Sequence, residues 1–324
     1  MKHPLTSAFF GLSTIVLAHA PSAFATPPAV PTSMGSLGDS ITAGAIADYS
    51  LESWKKPSHI LSLLKKLSDM GAGRNTEAFE RKDLSWTVGH AQNFKKLLHA
   101  HGEDWKFTQW NGAVSGNASR DVLHEQLPRL LEWSRKTLNQ GTPDYVTLLI
   151  GPNDICGKKV EDMVDTAVFK KNVHDTLSKL FSANPEVRVL ISEIPDVERV
   201  WRIARDHRLS GIKGARTCGE VWKKMPFCAN LLTVSDESDR RRMRERAESY
   251  NAALGEVEAE YGALHNDQVR MARGVYGSKF ELGALSADCF HPNQKGHQML
   301  TDTTWASTWW AADEFKAPDL AQKN

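Results

Sequence analysis

The chain has 324 residues, 41% of them hydrophobic and 24% charged, a balance that fits one large α/β domain or two small ones. A formal net charge of +1 supplies no global field toward nucleic acid or an anionic surface, and no nucleic-acid partner is expected. The ten tryptophans exceed the usual share; such side chains suit cores, interfaces and acyl or sugar pockets alike, and most of these are read as core.

Lys2 and His3, the apolar run Phe9 to Ala18 and the small residues of Ala23-Phe24-Ala25 read as a targeting signal, with cleavage expected after Ala25. The apolar run is too short for the roughly 20 residues that span a bilayer. Residues 1–25 are therefore assigned to a signal peptide and residues 26–324 to a single exported domain, secreted or periplasmic.

Ser33 to Leu37 is a poor strand by propensity, but a glycine in a buried strand marks close backbone approach. Gly38-Asp39-Ser40-Ile41-Thr42-Ala43-Gly44 follows, a small-residue turn expected to lead from strand to helix. Ile60, Leu61, Leu64 and Leu67 give Ser58 to Leu67 a helical spacing. A Gly-rich loop (Met70 to Thr76) comes before a helix over His90 to Leu98. Trp105 to Trp110 alternates as a strand. A long helix from about Ser119 to Leu138 has Ser119 as its expected cap and Pro128 as an expected kink. Tyr145 to Ile150 and Val187 to Ile191 are apolar runs typical of strands buried on both faces.

Between those two strands lies a helix through Phe169 to Phe181. Residues 197–234 have no clean period and are taken as an irregular insertion or lid. Ser235 to Tyr261 is helical, its arginines interleaved with acids as on a solvated face. Gln268 to Met271 is a last short strand, and Pro292 to Trp310 closes the domain as a helix. Strands alternating with helices predict an α/β fold with a mainly parallel sheet covered on both faces. In such sheets the chemistry sits at the carboxyl ends of the strands.

Cys156, Cys218, Cys228 and Cys289 have no CxxC spacing, and export favours disulfides over zinc. Four cysteines allow three pairings; Cys218 with Cys228 would close a short local loop and leave Cys156 with Cys289, and free thiols are the plainer alternative.

Ser40 becomes a nucleophile only if it finds a base, a group that orients the base, and donors for an oxyanion. His291 is the candidate base, and Asp288 lies three residues before it, close enough for one turn to present both. Each residue has a plainer reading: Ser40 as a helix cap, Asp288 and His291 as a metal-ligand pair or surface turn, Asn153-Asp154 as an ordinary turn. His297 reads as a helix-surface residue.

The order of four short blocks goes further. Gly38-Asp39-Ser40, Asn111-Gly112-Ala113-Val114-Ser115-Gly116, Gly151-Pro152-Asn153-Asp154 and Asp288-Cys289-Phe290-His291-Pro292-Asn293 resemble the successive motifs of the SGNH, or GDSL-type, esterase and lipase superfamily. Pro152 stands where the family usually has glycine. No Gly-x-Ser-x-Gly elbow is present, which argues against an α/β-hydrolase.

The resemblance implies a three-layer αβα sandwich of flavodoxin-like type. It also implies Ser40 as nucleophile, His291 as base, Asp288 as its partner, and an oxyanion site made by Ser40, Gly116 and Asn153, with no cofactor or metal. Leu84-Ser85-Trp86-Thr87-Val88-Gly89, Cys156 and Asp288-Cys289-Phe290-His291 look like the phospholipase B-like branch. That favours phospholipid or lysophospholipid esters and a transient contact with a membrane surface. A carbohydrate or small-ester deacetylase is the alternative within enzymes, and an exported binding protein without turnover the alternative outside them.

Overall fold

The computed structural model describes residues 28–71, 78–103, 107–209, 217–224, 228–233 and 236–311. The expected leader, Trp105, most of the Gly-rich loop and the side chains of Ile60, Leu61, Leu64 and Leu67 lie outside the described residues. Among the described residues no helix is long and apolar enough to cross a membrane.

Among the described residues five strands form one sheet: β1 (Ser33–Gly38), β2 (Thr108–Asn111), β3 (Tyr145–Leu149), β4 (Arg188–Ser192) and β5 (Val269–Ala272). Their order is β2-β1-β3-β4-β5 and every neighbouring pair is parallel. In this flavodoxin-like order the chain crosses β1 between β2 and β3, which opens a crevice beyond the carboxyl ends of β1 and β3.

The helices are α1 (Pro57–Gly71), α2 (Trp86–Ala100), α3 (Ser119–Asp121), α4 (Leu127–Thr137), α5 (Pro152–Ile155), α6 (Thr166–Ala183), α7 (Val197–Ala204), α8 (Cys218–Lys224), α9 (Ala229–Leu232), α10 (Glu237–Leu264) and α11 (Gln294–Trp305). Successive strand side chains point to opposite faces, which sorts the core into layers. Val146, Leu148, Val189 and Ile191 share one cluster with residues of α4, α6 and α10, whereas Tyr145 and Leu190 join Phe94 of α2 and Trp305 of α11 in another. The fold is the expected three-layer αβα sandwich.

β1 forms despite its weak propensity because its small residues serve tight packing. A Cβ on Gly35 would lie 2.6 Å from Leu130 Cδ1, so α4 closes onto bare backbone there. Ser33 is buried, and its hydroxyl accepts the Asp144 N–H at 3.0 Å.

Several boundaries differ from those expected. α2 starts four residues earlier, capped by Ser85, and Gly89 sits inside it where a Cβ would meet Thr301 Cγ2 at 2.2 Å. Gly89 marks close packing of α2 on α11. The long third helix begins after Ala118, not with Ser119 as cap, because the Ser119 hydroxyl donates to Asp154 instead. Its irregularity is a π-helical turn, Val122–Gln126, placed just before Pro128 rather than at it. α11 stops at Trp305, short of the expected Trp310.

The cysteine pairing is corrected. The bridges are Cys156–Cys228 and Cys218–Cys289, so each ties residues 197–234 to a distant loop instead of closing a local one. In that region α7, α8 and α9 are short helices; Trp222 and Leu231 are buried.

Candidate active site

The turn after β1 is built from close backbone approaches. A Cβ on Gly38 would lie 2.5 Å from both Leu149 O and Thr42 Oγ1, so no larger residue fits. Asp39 Oδ1 accepts the Ile41 N–H at 2.9 Å and closes a tight turn that leaves Ser40 at its crest. The helix expected from Ser40 does not form. Gly44 and Ile46 both have positive φ, +69° and +44°, and end the coil after one turn. The Thr42 carbonyl accepts instead from Ser85 Oγ at 2.7 Å and Asn111 Nδ2 at 2.8 Å.

The second part of the site comes from the loop before α11. His291 Nε2 lies 2.8 Å from Ser40 Oγ, and His291 Nδ1 lies 2.5 Å from Asp288 Oδ2. Asp288 is fully buried, and its other oxygen accepts the N–H groups of Phe290 and His291, each at 3.0 Å. Both ring nitrogens of His291 are thus engaged by Ser40 and Asp288, a geometry in which the imidazole can take the hydroxyl proton while the carboxylate orients the ring. Two indole N–H groups hold the loop: Trp54 Nε1 donates to Ala287 O at 2.8 Å and Trp222 Nε1 to Asp288 O at 3.0 Å. Cys289 adopts positive φ and is bridged to α8.

The third part faces Ser40 from the ends of β2 and β3. Val114 N–H donates to Gly38 O at 3.3 Å, which draws the loop Asn111 to Asn117 toward the Ser40 turn. Gly116 has φ +86°, a conformation that favours glycine. Among the described residues no acceptor takes the Ser40 or Gly116 N–H. Asn153, on α5, donates one amide hydrogen to Asn117 O at 2.9 Å, and Asn153 lines the cleft beside Ser40. Pro152 opens α5, where its missing N–H removes no helical hydrogen bond.

Two residues that the sequence did not single out join these parts. Gln126, buried in the π-helical turn, bonds both backbone atoms of Gly38 and also Asn117 Oδ1. Glu80 Oε1 accepts the Ser115 N–H at 2.7 Å. The π-helical turn carries no composition cue, and neither residue belongs to any of the four blocks.

The cleft over Ser40 has a volume of about 180 Å³ and is mostly apolar, with Ile41, Phe79, Val197, Val200, Phe290 and Leu300 in its walls. Cys156 and Cys228 lie in the same wall, so one disulfide forms part of the cavity surface. Burial pushes the Asp39 carboxyl up to about 7, partly offset by the Ile41 N–H and by His291. Burial likewise raises Asp154 to about 6 against the hydrogen bonds from Ser119. His297 is not on the helix surface as expected. It is 2% exposed between α11 and α2, its Nδ1 accepts the Trp86 N–H at 3.3 Å, and burial pushes it down to about 3.

The family model described as GDSL-like lipase/acylhydrolase matches residues 35–303. The chain is also similar to several solved structures. An extracellular lipase from Streptomyces rimosus is 16% identical, with 85% of this chain and 99% of that one covered and a TM-score of 0.45. A phospholipase A1 from Streptomyces albidoflavus is 15% identical, with coverage of 86% and 100% and a TM-score of 0.43. A family 3 carbohydrate esterase from Clostridium thermocellum is 13% identical, with coverage of 85% and 94% and a TM-score of 0.42. A sequence comparison with curated proteins gave no match.

Proposed function

This chain belongs to the GDSL-like lipase/acylhydrolase family, and we propose that within it the protein is an exported serine esterase that cleaves lipid esters, phospholipids or lysophospholipids foremost. The observation that carries the reading is the continuous hydrogen-bonded line from Ser40 Oγ through His291 to the buried Asp288.

In the proposed cycle Ser40 Oγ attacks the ester carbonyl carbon while its proton passes to His291 Nε2. Asp288 fixes the imidazole through Nδ1 and stabilises the imidazolium. The carbonyl oxygen, now negative, meets the Ser40 and Gly116 N–H groups and the second amide hydrogen of Asn153. Collapse expels the alcohol, which takes its proton from His291. Water, deprotonated by the same imidazole, then splits the acyl-enzyme and restores Ser40. Every proton is accounted for by these side chains and water.

The preference for a lipid acyl group rests on the cleft walls. Hydrocarbon gains about 0.8 kcal/mol for each methylene buried, whereas an acetyl group would leave most of this surface uncovered. Export rests on the N-terminal signal features together with two disulfides, which persist in oxidising compartments. Membrane contact would then be the transient docking needed to reach a lipid substrate.

The test combines Ser40→Ala with a substrate panel of phosphatidylcholine, lysophosphatidylcholine and an acetylated sugar, products being identified by mass spectrometry. Fatty acid release that disappears in Ser40→Ala is the expected result. Strict deacetylation of the sugar would overturn the lipid assignment, and unchanged hydrolysis by Ser40→Ala would overturn the nucleophile. Recovery of processed protein with Ala25 still attached would contradict the cleavage site.

A further inference from the structure

The geometry points to Glu80 as a positioning residue that sets the oxyanion loop against the nucleophile turn, an assignment that we propose here and that rests on the serine-esterase reading above. Glu80 lies in the short segment Phe79 to Arg81, which runs beside the turn after Ser40. Ala45 and Glu80 form an antiparallel bridge, Ile46 N–H donates to Phe79 O at 2.8 Å, and Arg81 N–H donates to Gly44 O at 3.1 Å. The approach is close enough that a Cβ on Gly44 would lie 2.3 Å from Arg81 O. The backbone of Glu80 is therefore fixed to the loop that carries Ser40.

Its side chain reaches the other way. The Glu80 side chain is 3% exposed, Oε1 accepts the Ser115 N–H at 2.7 Å, and Oε2 lies 3.5 Å from Lys82 Nζ. Ser115 immediately precedes Gly116, whose N–H is a proposed oxyanion donor, and both residues line the cleft. Among the described residues Gly116 has open space around the position of a Cβ, so nothing packs against that side of it. The carboxylate of Glu80 fixes the Val114–Ser115 peptide, one peptide ahead of the group that carries the Gly116 N–H, and thereby constrains the direction of that N–H. Lys82 offsets the negative charge, which would otherwise oppose an oxyanion nearby.

What matters on this account is an acceptor at that reach, not the charge. Glutamine at position 80 keeps the acceptor, alanine removes it, and aspartate keeps the charge but withdraws it by one methylene.

The experiment measures kcat and KM for nitrophenyl butyrate, and the rate of inactivation by a fluorophosphonate whose phosphonyl oxygen occupies the oxyanion site. Glu80→Ala should lower kcat about 10- to 100-fold and slow inactivation by the same factor, with KM changed less than about twofold. Glu80→Gln should recover most of that loss. A Glu80→Ala kcat close to wild type, a loss confined to KM, or a Glu80→Gln loss as large as that of Glu80→Ala would each overturn the assignment.

Should Glu80→Ala fail to fold, Glu80→Gln against Glu80→Asp decides: higher kcat in Glu80→Gln supports the assignment, and higher kcat in Glu80→Asp refutes it. Ser40→Ala is run in parallel. Abolished turnover in Ser40→Ala beside unaffected Glu80 variants refutes the Glu80 role alone, whereas residual turnover in Ser40→Ala refutes the reading beneath it.

Discussion

Gln126 holds Gly38 by both of its backbone atoms: Oε1 accepts the Gly38 N–H at 3.0 Å, and Nε2 donates to the Gly38 carbonyl at 2.8 Å. The same amide also donates to Asn117 Oδ1 at 2.8 Å, so one buried side chain joins the end of β1 to the loop Asn111 to Asn117. Gln126→Glu exchanges a donor for an acceptor facing two carbonyl oxygens. It should cost about 2–4 kcal/mol of stability and lower kcat about tenfold. Urea unfolding and steady-state kinetics at pH 8 check both, and an unchanged unfolding midpoint would remove Gln126 from the account.

Asn153→Ala deletes a neutral amide donor without changing any charge. The expected loss is about 10²–10³ in kcat with little change in KM, as for an interaction made mainly in the transition state. Nitrophenyl butyrate kinetics measure it. A loss seen only in KM would place Asn153 in substrate binding instead.

Asp39 links stability to pH. Burial raises its folded-state value from 3.8 to about 7, so between those limits the folded protein binds more protons than the unfolded chain. Stability from this group is therefore full at the acid end and falls as pH rises through the window, by at most about 1.4 kcal/mol per pH unit. Asp39→Asn cannot ionise and should gain on wild type as pH rises from about 4 to about 7. Urea midpoints of the two proteins across that range report the difference; parallel curves would mean that Asp39 stays ionised when folded.

The two disulfides should differ in what they protect. Each closes a loop of similar length, with separations of 72 and 71 residues, and removing either should cost about 4 kcal/mol in the chain-entropy model. Removing Cys218 and Cys289 together, as Ser variants, releases the loop that holds Asp288 and His291 and should depress kcat on every substrate. Removing Cys156 and Cys228 loosens the cleft wall and should instead shift the preferred acyl length. Nitrophenyl esters of graded chain length separate the two cases, and identical profiles would show that the bridges serve stability alone.

The parts of this molecule that the sequence revealed are those encoded locally. β3 and β4 show as apolar runs because both faces of each strand are covered. Ser40, Gly116, Asn153, Asp288 and His291 could be singled out as candidates because each sits in a compact block following a strand or preceding a helix, and the structure places them around one cleft or in direct contact with its lining. The supports of the site were hidden for the opposite reason. Trp54 and Ala287 lie 233 residues apart and Trp222 and Asp288 66 apart, and nothing in their own neighbourhoods marks them. His297 looked exposed because its neighbours in sequence are polar, but the face it occupies is covered by α2. The turn at Ser40 looked like a helix start until the positive φ values of Gly44 and Ile46 ended it.

The bridges cross. Along the chain the cysteines run Cys156, Cys218, Cys228, Cys289, with the first joined to the third and the second to the fourth. In an unfolded chain the encounter of Cys218 with Cys228 is entropically cheaper than either native encounter by about 2 kcal/mol, so chance favours the wrong bond. The native pattern has to be selected by packing, with α8 and α9 seated against the rest of the fold before oxidant arrives. Refolding in reductant followed by oxidation should therefore yield more correctly bridged protein than oxidation of the denatured chain, and timing, rather than the cysteines themselves, decides which molecules acquire a finished cleft.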